Sequence, residues 1–276
     1  MKKGIIFDIQ RCSLVDGDGV RTAIFFKGCN LKCKWCHNPE GIDKNIQMLY
    51  YKDKCTFCGK CTQICPNEQK SCTLCGKCTV YCPADAKEIC GKEYAIKELL
   101  DIILKDKTYY EASGGGVTLS GGECMLQIDF VKELLKKCRE NQINTAVDTA
   151  GNVEWKCFEE ILPYTNTFLF DIKCISENLH KQGTGVSNLL ILKNLKRLSD
   201  ANANIVIRIP IIGGFNDSYD ELLKISQFLK NINFKKVELL PYHNMGKHKY
   251  EALNLESHLF SEPQKEQIDK FKKLFA

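Results

Sequence analysis

Residues 55–82 constrain the fold more than any other stretch of the chain. They read Cys55-x2-Cys58-x2-Cys61-x3-Cys65-Pro66, then repeat as Cys72-x2-Cys75-x2-Cys78-x3-Cys82-Pro83, with six residues between the halves. Between 49 and 92 little sequence could build a conventional apolar core. Metal–thiolate bonds must supply most of the folding energy there. The stretch is therefore expected to stand as an inserted domain, residues 49–92. Residues 1–48 and 93–276 would form one larger domain, and 276 residues suffice for both.

Four cysteines within eleven residues, each set ending in Cys-Pro, is the spacing of a two-cluster ferredoxin. Zinc sites usually take two close pairs separated by a longer loop. The pattern thus points to two 4Fe–4S clusters on Cys55, Cys58, Cys61, Cys65, Cys72, Cys75, Cys78 and Cys82. In such runs the fourth cysteine of each half serves the other half's cluster. The short link leaves that exchange open here, and it leaves Cys90 as a further candidate ligand.

A different motif lies upstream. Cys29, Cys33 and Cys36 are spaced C-x3-C-x2-C, and no fourth cysteine closes the set. Three thiolates hold three irons of a cubane cluster and leave the fourth open to something that is not protein. An open iron marks a reaction centre rather than a passive electron carrier. Cys12, Cys90, Cys124, Cys138, Cys157 and Cys174 have no partner at ligand spacing and read as small buried hydrophobes.

Seventeen cysteines would mean disulfides in a secreted chain. No positively flanked apolar stretch opens this sequence, and no apolar run approaches the ~20 residues that span a bilayer. The expectation is a cytoplasmic protein with reduced thiols, where cysteine clusters mean metal or catalysis. The formal net charge is +5. Two four-thiolate clusters at about −2 each and a three-thiolate cluster at about −1 would bring the loaded protein near neutrality. The basicity is therefore no sign of a nucleic-acid or membrane partner.

The remaining sequence alternates strand and helix signals. Strands are expected at 4–9, 22–26, 117–119, 145–147, 167–170, 205–209 and 236–240. Helices are expected at 95–105, 127–140, 158–162, 188–199, 217–230 and 262–275. Alternation argues for an α/β fold with a parallel sheet and right-handed crossovers. About six units predict a partial (βα)6 TIM-like barrel, with the ferredoxin-like domain inserted.

Each strand ends in a polar or glycine-bearing segment, and in barrel-like sheets those ends form the site. Glu123, Asp148, Asp171, Lys173, Arg208 and His243 are aimed at one mouth, and the first cysteine loop follows a strand end there too. Gly121-Gly122-Glu123 reads either as a strand-to-helix turn or as backbone close to a ligand amino group with Glu123 as counter-charge. Asp171 and Lys173 share a strand face by alternation; alone they could be a surface pair, and His243 could be an ordinary satisfied histidine.

Taken together, the residues resemble the radical S-adenosylmethionine superfamily. More narrowly, the chain is similar to activating enzymes of glycyl radical enzymes that carry an inserted ferredoxin module. The likeness rests on Val15-Asp16-Gly17-Asp18-Gly19-Val20-Arg21-Thr22, Phe26 to Glu40, Gly115 to Glu123 and Leu239-Leu240-Pro241-Tyr242-His243-Asn244. It implies that Cys29, Cys33 and Cys36 hold the reactive cluster, whose open iron takes the amino and carboxylate groups of S-adenosylmethionine. Trp35, Cys36 and His37 would lie along the adenosine. Gly121, Gly122 and Glu123 would receive the methionyl amino end. Asp171, Lys173, Arg208 and His243 would hold the carboxylate and ribose side. Asp148, Thr149 and Asp171 could carry a monovalent cation, and Asp16 would meet the partner's glycine loop. Asp18 stands where that family usually has proline; Asp also suits a glycine-flanked turn.

The implied function is activation of a glycyl radical enzyme: S-adenosylmethionine is cleaved reductively and a glycine hydrogen is abstracted on the partner. Candidate partners are a hydroxyproline, glycerol or choline dehydratase or lyase, or one for aryl compounds. The protein would be a monomer with three 4Fe–4S clusters, fed by flavodoxin or ferredoxin. A radical enzyme acting on a small molecule is the alternative and would need a closed pocket. A ferredoxin fused to a structural domain would leave the unclosed three-cysteine motif unexplained.

Overall fold

The structure is a computed structural model, and it describes residues 2–68 and 70–275. Its strands are β1 (Lys3–Ser13), β2 (Arg21–Phe26), β3 (Gln47–Tyr50), β4 (Lys87–Cys90), β5 (Lys92–Ala95), β6 (Gly116–Gly121), β7 (Asn144–Thr149), β8 (Thr167–Asp171), β9 (Ile205–Ile211) and β10 (Lys236–Pro241). Eight strands form one sheet in the order β10-β9-β8-β7-β6-β2-β1-β5. From β2 to β10 every pairing is parallel, which gives six parallel strands.

Strands covered on both faces must be apolar throughout. All of β2 is buried, as is nearly all of β9 (Ile-Val-Ile-Arg-Ile-Pro-Ile). The helix Ile128–Glu140 supplies Phe130, Val131, Leu134, Leu135 and Cys138 to the main core. The helix Leu189–Asp200 adds Ile191, Leu195 and Leu198. Polar strand ends are thereby carried to one rim of the sheet.

The structure departs from the sequence expectations in several places. β1 is antiparallel to β2. Residues 14–20 are too short a link for the crossover that parallel pairing needs. β5, also unforeseen, pairs antiparallel with β1. Cys12 is exposed rather than buried: it sits with φ 59° where the β1–β2 register shifts between Gln10 and Ser13. Cys157 is only half-buried, whereas Cys90, Cys124, Cys138 and Cys174 are buried. The last helix spans only Lys265–Lys272. Pro263 precedes it, Gln264 is extended, and Ser261 is bridged to Gly213, so the chain ahead is not helical. Leu274 and Phe275 still pack on the core.

β3 and β4 pair only with each other, in a two-stranded sheet. Between them lie two short helices, Lys60–Gln63 and Lys77–Val80, each following a left-handed glycine, Gly59 or Gly76. Among the described residues the segment adds no buried apolar side chain to the main core; Leu49 and Cys90 of this sheet pack instead in a small separate cluster with Ala252. No helix among the described residues is long and apolar enough to cross a membrane.

Candidate active site

The cysteine loop is clamped from three sides. The amides of Gly28 and Cys29 donate to the Gly41 and Ile42 carbonyls at 2.8 and 2.9 Å. The amides of Lys32 and Lys34 donate to the Thr184 and Gly183 carbonyls at 2.8 and 3.0 Å, at the end of the helix Glu177–Thr184. The Tyr250 hydroxyl donates to the Cys36 carbonyl at 2.9 Å, and Lys249 reaches Asn38 Oδ1 at 2.9 Å and Glu40 Oε1 at 2.5 Å. These two residues sit on the helix Lys247–Ala252, which the sequence reading did not anticipate. An adjacent Lys-Tyr pair carries no signal until its neighbours are known.

The loop faces a cavity of about 450 Å³ at the carboxyl ends of the parallel strands. Its wall includes Asp16, Cys29, Cys33, Trp35, Cys36, His37, Gly121, Gly122, Asp148, Thr149, Asp171, Lys173, Arg208 and His243. Val15 and Asn38, which lie in the segments that carry the likeness but were given no role, and Ile212 also line it. Glu123 is not on the wall. Its fully buried carboxylate accepts from Thr149 Oγ1 at 2.8 Å and from the Ala150 and Met125 amides at 3.1 and 3.4 Å. Thus Glu123 ties the β6 end to the β7 end from behind the cavity. Burial pushes it up to about 7, against those hydrogen bonds and with help from Asp148.

Charges on the wall are mutually compensated. Lys173 Nζ lies 2.8 Å from Asp171 Oδ2. Burial opposes its charge, but Asp171 offsets this, with Cys33 and Cys29 adding to it as thiolates, and the ammonium is held charged. Arg208 sits 3.4 Å from both Asp148 and Glu238, and Ser120 donates to Asp148 at 2.7 Å. Burial lifts Asp148 while Arg208 opposes the shift. Asn216, completely buried, donates to the Lys173 and Pro210 carbonyls at 2.6 Å each and so fixes the β8 and β9 ends.

An aromatic edge completes the cavity. Trp35 packs on Phe215 at 4.3 Å between ring centroids, and His37 on His243 at 3.8 Å. His37 Nε2 and His243 Nδ1 are buried with no hydrogen-bond partner, a cost unless a ligand supplies one. Burial, then His243, then Lys249 pull His37 down to about 4, so it is neutral at pH 7.

The donor set suits an iron–sulfur cluster with a zwitterionic nucleoside beside it. Three thiols, two cations, three carboxylates and two unpartnered ring nitrogens share one open cavity. Burial raises the Cys29 and Cys36 thiols to about 12, so iron must displace their protons on binding. A second cavity, about 390 Å³, is lined by Cys55, Cys58, Cys61 and Cys82, three from one half of the repeat and the fourth from the other. Cys72 and Cys75 lie near Cys78. Cys90 lies apart, packed with Leu49 and Ala252. Among the described residues no three such side chains crowd onto the position of a single ion.

Residues 23–225 match the Radical SAM superfamily model, and the chain belongs to that superfamily. It is 45% identical over 288 residues to a trans-4-hydroxy-L-proline dehydratase activating enzyme of Clostridioides difficile, covering 98% of this chain and 95% of the relative. It is 42% identical to a choline trimethylamine-lyase activating enzyme of Oleidesulfovibrio alaskensis, covering 92% and 88%. A crystal structure of a domain of pyruvate-formate lyase-activating enzyme from Bacteroides vulgatus aligns with a TM-score of 0.50 at 29% identity, over 58% of this chain and 92% of that one. Within the superfamily the chain falls among the activating enzymes of glycyl radical enzymes.

Proposed function

We propose that this chain installs the glycyl radical on a dehydratase or lyase, with a hydroxyproline dehydratase as first candidate. The observation that carries the reading is the unclosed set Cys29, Cys33 and Cys36 on the wall of a cavity that also holds Asp16 and both buried cations. The identity to the hydroxyproline dehydratase activating enzyme sets the order of candidates; glycerol and choline enzymes come next. When bound there, the cluster supplies the electron that splits S-adenosylmethionine into methionine and a deoxyadenosyl radical.

The residues of the chain bind and orient. Lys173 and Arg208, fixed by Asp171 and Asp148, offer positive charge to the ligand carboxylate and ribose side. Gly121 and Gly122 present backbone to the amino end, with Glu123 bracing that wall from behind. The free nitrogens of His37 and His243 supply edges for the nucleoside. A monovalent cation at Asp148, Thr149 and Asp171 would compete with Arg208 and Lys173 for the same carboxylates. Asp16 faces the partner's glycine segment. Anaerobic incubation with S-adenosylmethionine, dithionite and candidate partners should give a glycyl radical signal by electron paramagnetic resonance with one of them. Deoxyadenosine release without a radical on any dehydratase or lyase would reject the reading.

We further read residues 49–92 as a two-cluster ferredoxin-like module. The meeting of Cys82 with Cys55, Cys58 and Cys61 supports exchanged fourth ligands. In this reading the module relays electrons from flavodoxin or ferredoxin to a monomeric enzyme in the cytoplasm. A Cys58→Ala/Cys75→Ala variant should lose most activation with a flavodoxin donor and keep it with dithionite. Full activity with flavodoxin would remove the relay.

A further inference from the structure

The parallel run ends at β2 on one side and β10 on the other, and these strands do not pair. Loop 14–20 crosses that open side. It is held at its outer end by Asp18, whose carboxylate takes Lys235 Nζ at 2.8 Å and Lys236 Nζ at 2.9 Å. At its inner end the Val15 carbonyl accepts from the Arg208 guanidinium at 2.5 Å, and the Asp16 carbonyl accepts from Thr118 Oγ1 at 2.6 Å. The two ends belong to one run of charges. Lys236 continues to Glu238 at 2.9 Å, Glu238 to Arg208 at 3.4 Å, and Arg208 to Asp148 at 3.4 Å.

We infer that Asp18 is a positioning residue for partner recognition: by clasping loop 14–20 to the start of β10 it fixes Val15 and Asp16 at the cavity wall. The inference rests on the activase reading above. Gly17 and Gly19 flank Asp18 with φ of 117° and 73°, so the loop backbone has little stiffness of its own. Its shape is set by side-chain holds: Arg208, Thr118 and Ser13 on Val15 and Asp16 at the inner end, and at the outer end Asp18, whose carbonyl also accepts from Arg21 at 3.1 Å. Leu14 and Val15 remain 73% and 75% exposed, so the loop's apolar tip is free to meet a partner segment. A cavity of about 710 Å³ along β10 is lined by this loop, and it shares Val15 and Leu240 with the cysteine cavity. An extended segment reaching the site through that gap would pass directly over the clasp.

The pairs of the clasp are half-exposed, so the expected effect is modest and specific. In holoenzyme loaded with its clusters, Asp18→Asn should raise the KM for the partner about three- to tenfold, as loss of two exposed ion pairs allows. Its kcat, its KM for S-adenosylmethionine and its partner-free deoxyadenosine release should stay at wild-type values. Asp18→Glu, which keeps the charge, should restore most of the partner KM. Added salt should raise the wild-type partner KM more steeply than that of Asp18→Asn. An unchanged partner KM in Asp18→Asn overturns the inference, as does an equal loss in partner-free cleavage, which marks a merely structural role. Failure of the wild-type enzyme to activate any candidate rejects the activase reading instead.

Discussion

Replacing Gly122 with alanine should lower the unfolding free energy by about 3 kcal/mol or more, because the added methyl has no space and its neighbours cannot yield. A Cβ at Gly122 would stand 2.2 Å from the Gly28 carbonyl oxygen and 2.7 Å from that of Gly41. Both are backbone atoms inside the hydrogen bonds that set the cysteine loop: Glu123 N to Gly28 O at 2.7 Å, Gly122 N to Phe26 O at 2.9 Å and Gly28 N to Gly41 O at 2.8 Å. Relief requires the Gly28 carbonyl to retreat, and Cys29 is the next residue. A shift of about 1 Å at that point can cost about 10²-fold in rate. Denaturant unfolding of the anaerobic protein and deoxyadenosine release under dithionite measure the two effects. Gly122→Ala with wild-type stability and turnover would show that β6 does not press on the cysteine loop as described.

That contact was beyond the reach of the sequence, although both partners were singled out in it. Gly121-Gly122-Glu123 could be read as a turn or as a ligand wall, and nothing local says that Gly28 lies against it. Most of the six parallel strands were legible as short apolar runs between polar segments, β2 and β9 most clearly, as burial on both faces demands, whereas β10, with Lys236 and Glu238 within it, is only half-buried at the end of the parallel run. Strand ends then bring Asp148, Asp171 and Arg208 to one cavity by topology alone. β1 was legible as a strand but not in direction, since direction is set by the seven-residue link and not by β1 itself. Glu123 shows the limit most clearly. Its position at a strand end suggested the cavity, and the structure turns its side chain inward because Thr149 and the Ala150 amide supply donors there. Side-chain choice between two sides of a wall depends on neighbours distant in sequence. The clasp at Asp18 is a similar case: Lys235 and Lys236 lie 217 and 218 residues away in the chain.

The buried carboxylate of Glu123 should also make stability depend on pH in a distinctive way. Burial is the largest influence on it and raises it from 4.5 to about 7, while Thr149, Met125 and Ala150 pull it back. The folded state thus holds the proton more tightly than the unfolded chain does. Stability from this group is fully present below 4.5, falls as pH rises, and levels off above about 7. At about 1.4 kcal/mol per unit, a shift from 4.5 to about 7 amounts to about 3 kcal/mol across that window. Glu123→Gln has no proton to lose. Its amide oxygen can still accept from Thr149 and Ala150, at the cost of turning its amine toward the Met125 amide, 3.4 Å from the present oxygen. Unfolding free energies from pH 5 to 8 should therefore fall less steeply in the variant than in the wild type, with the curves converging or crossing toward pH 8. His37 titrates in both proteins and cancels in the difference, whereas Asp148, which helps push Glu123 up, cancels apart from that mutual repulsion. Parallel curves over the whole range would mean that Glu123 stays ionised in the folded protein, and that the three donors around it outweigh its burial.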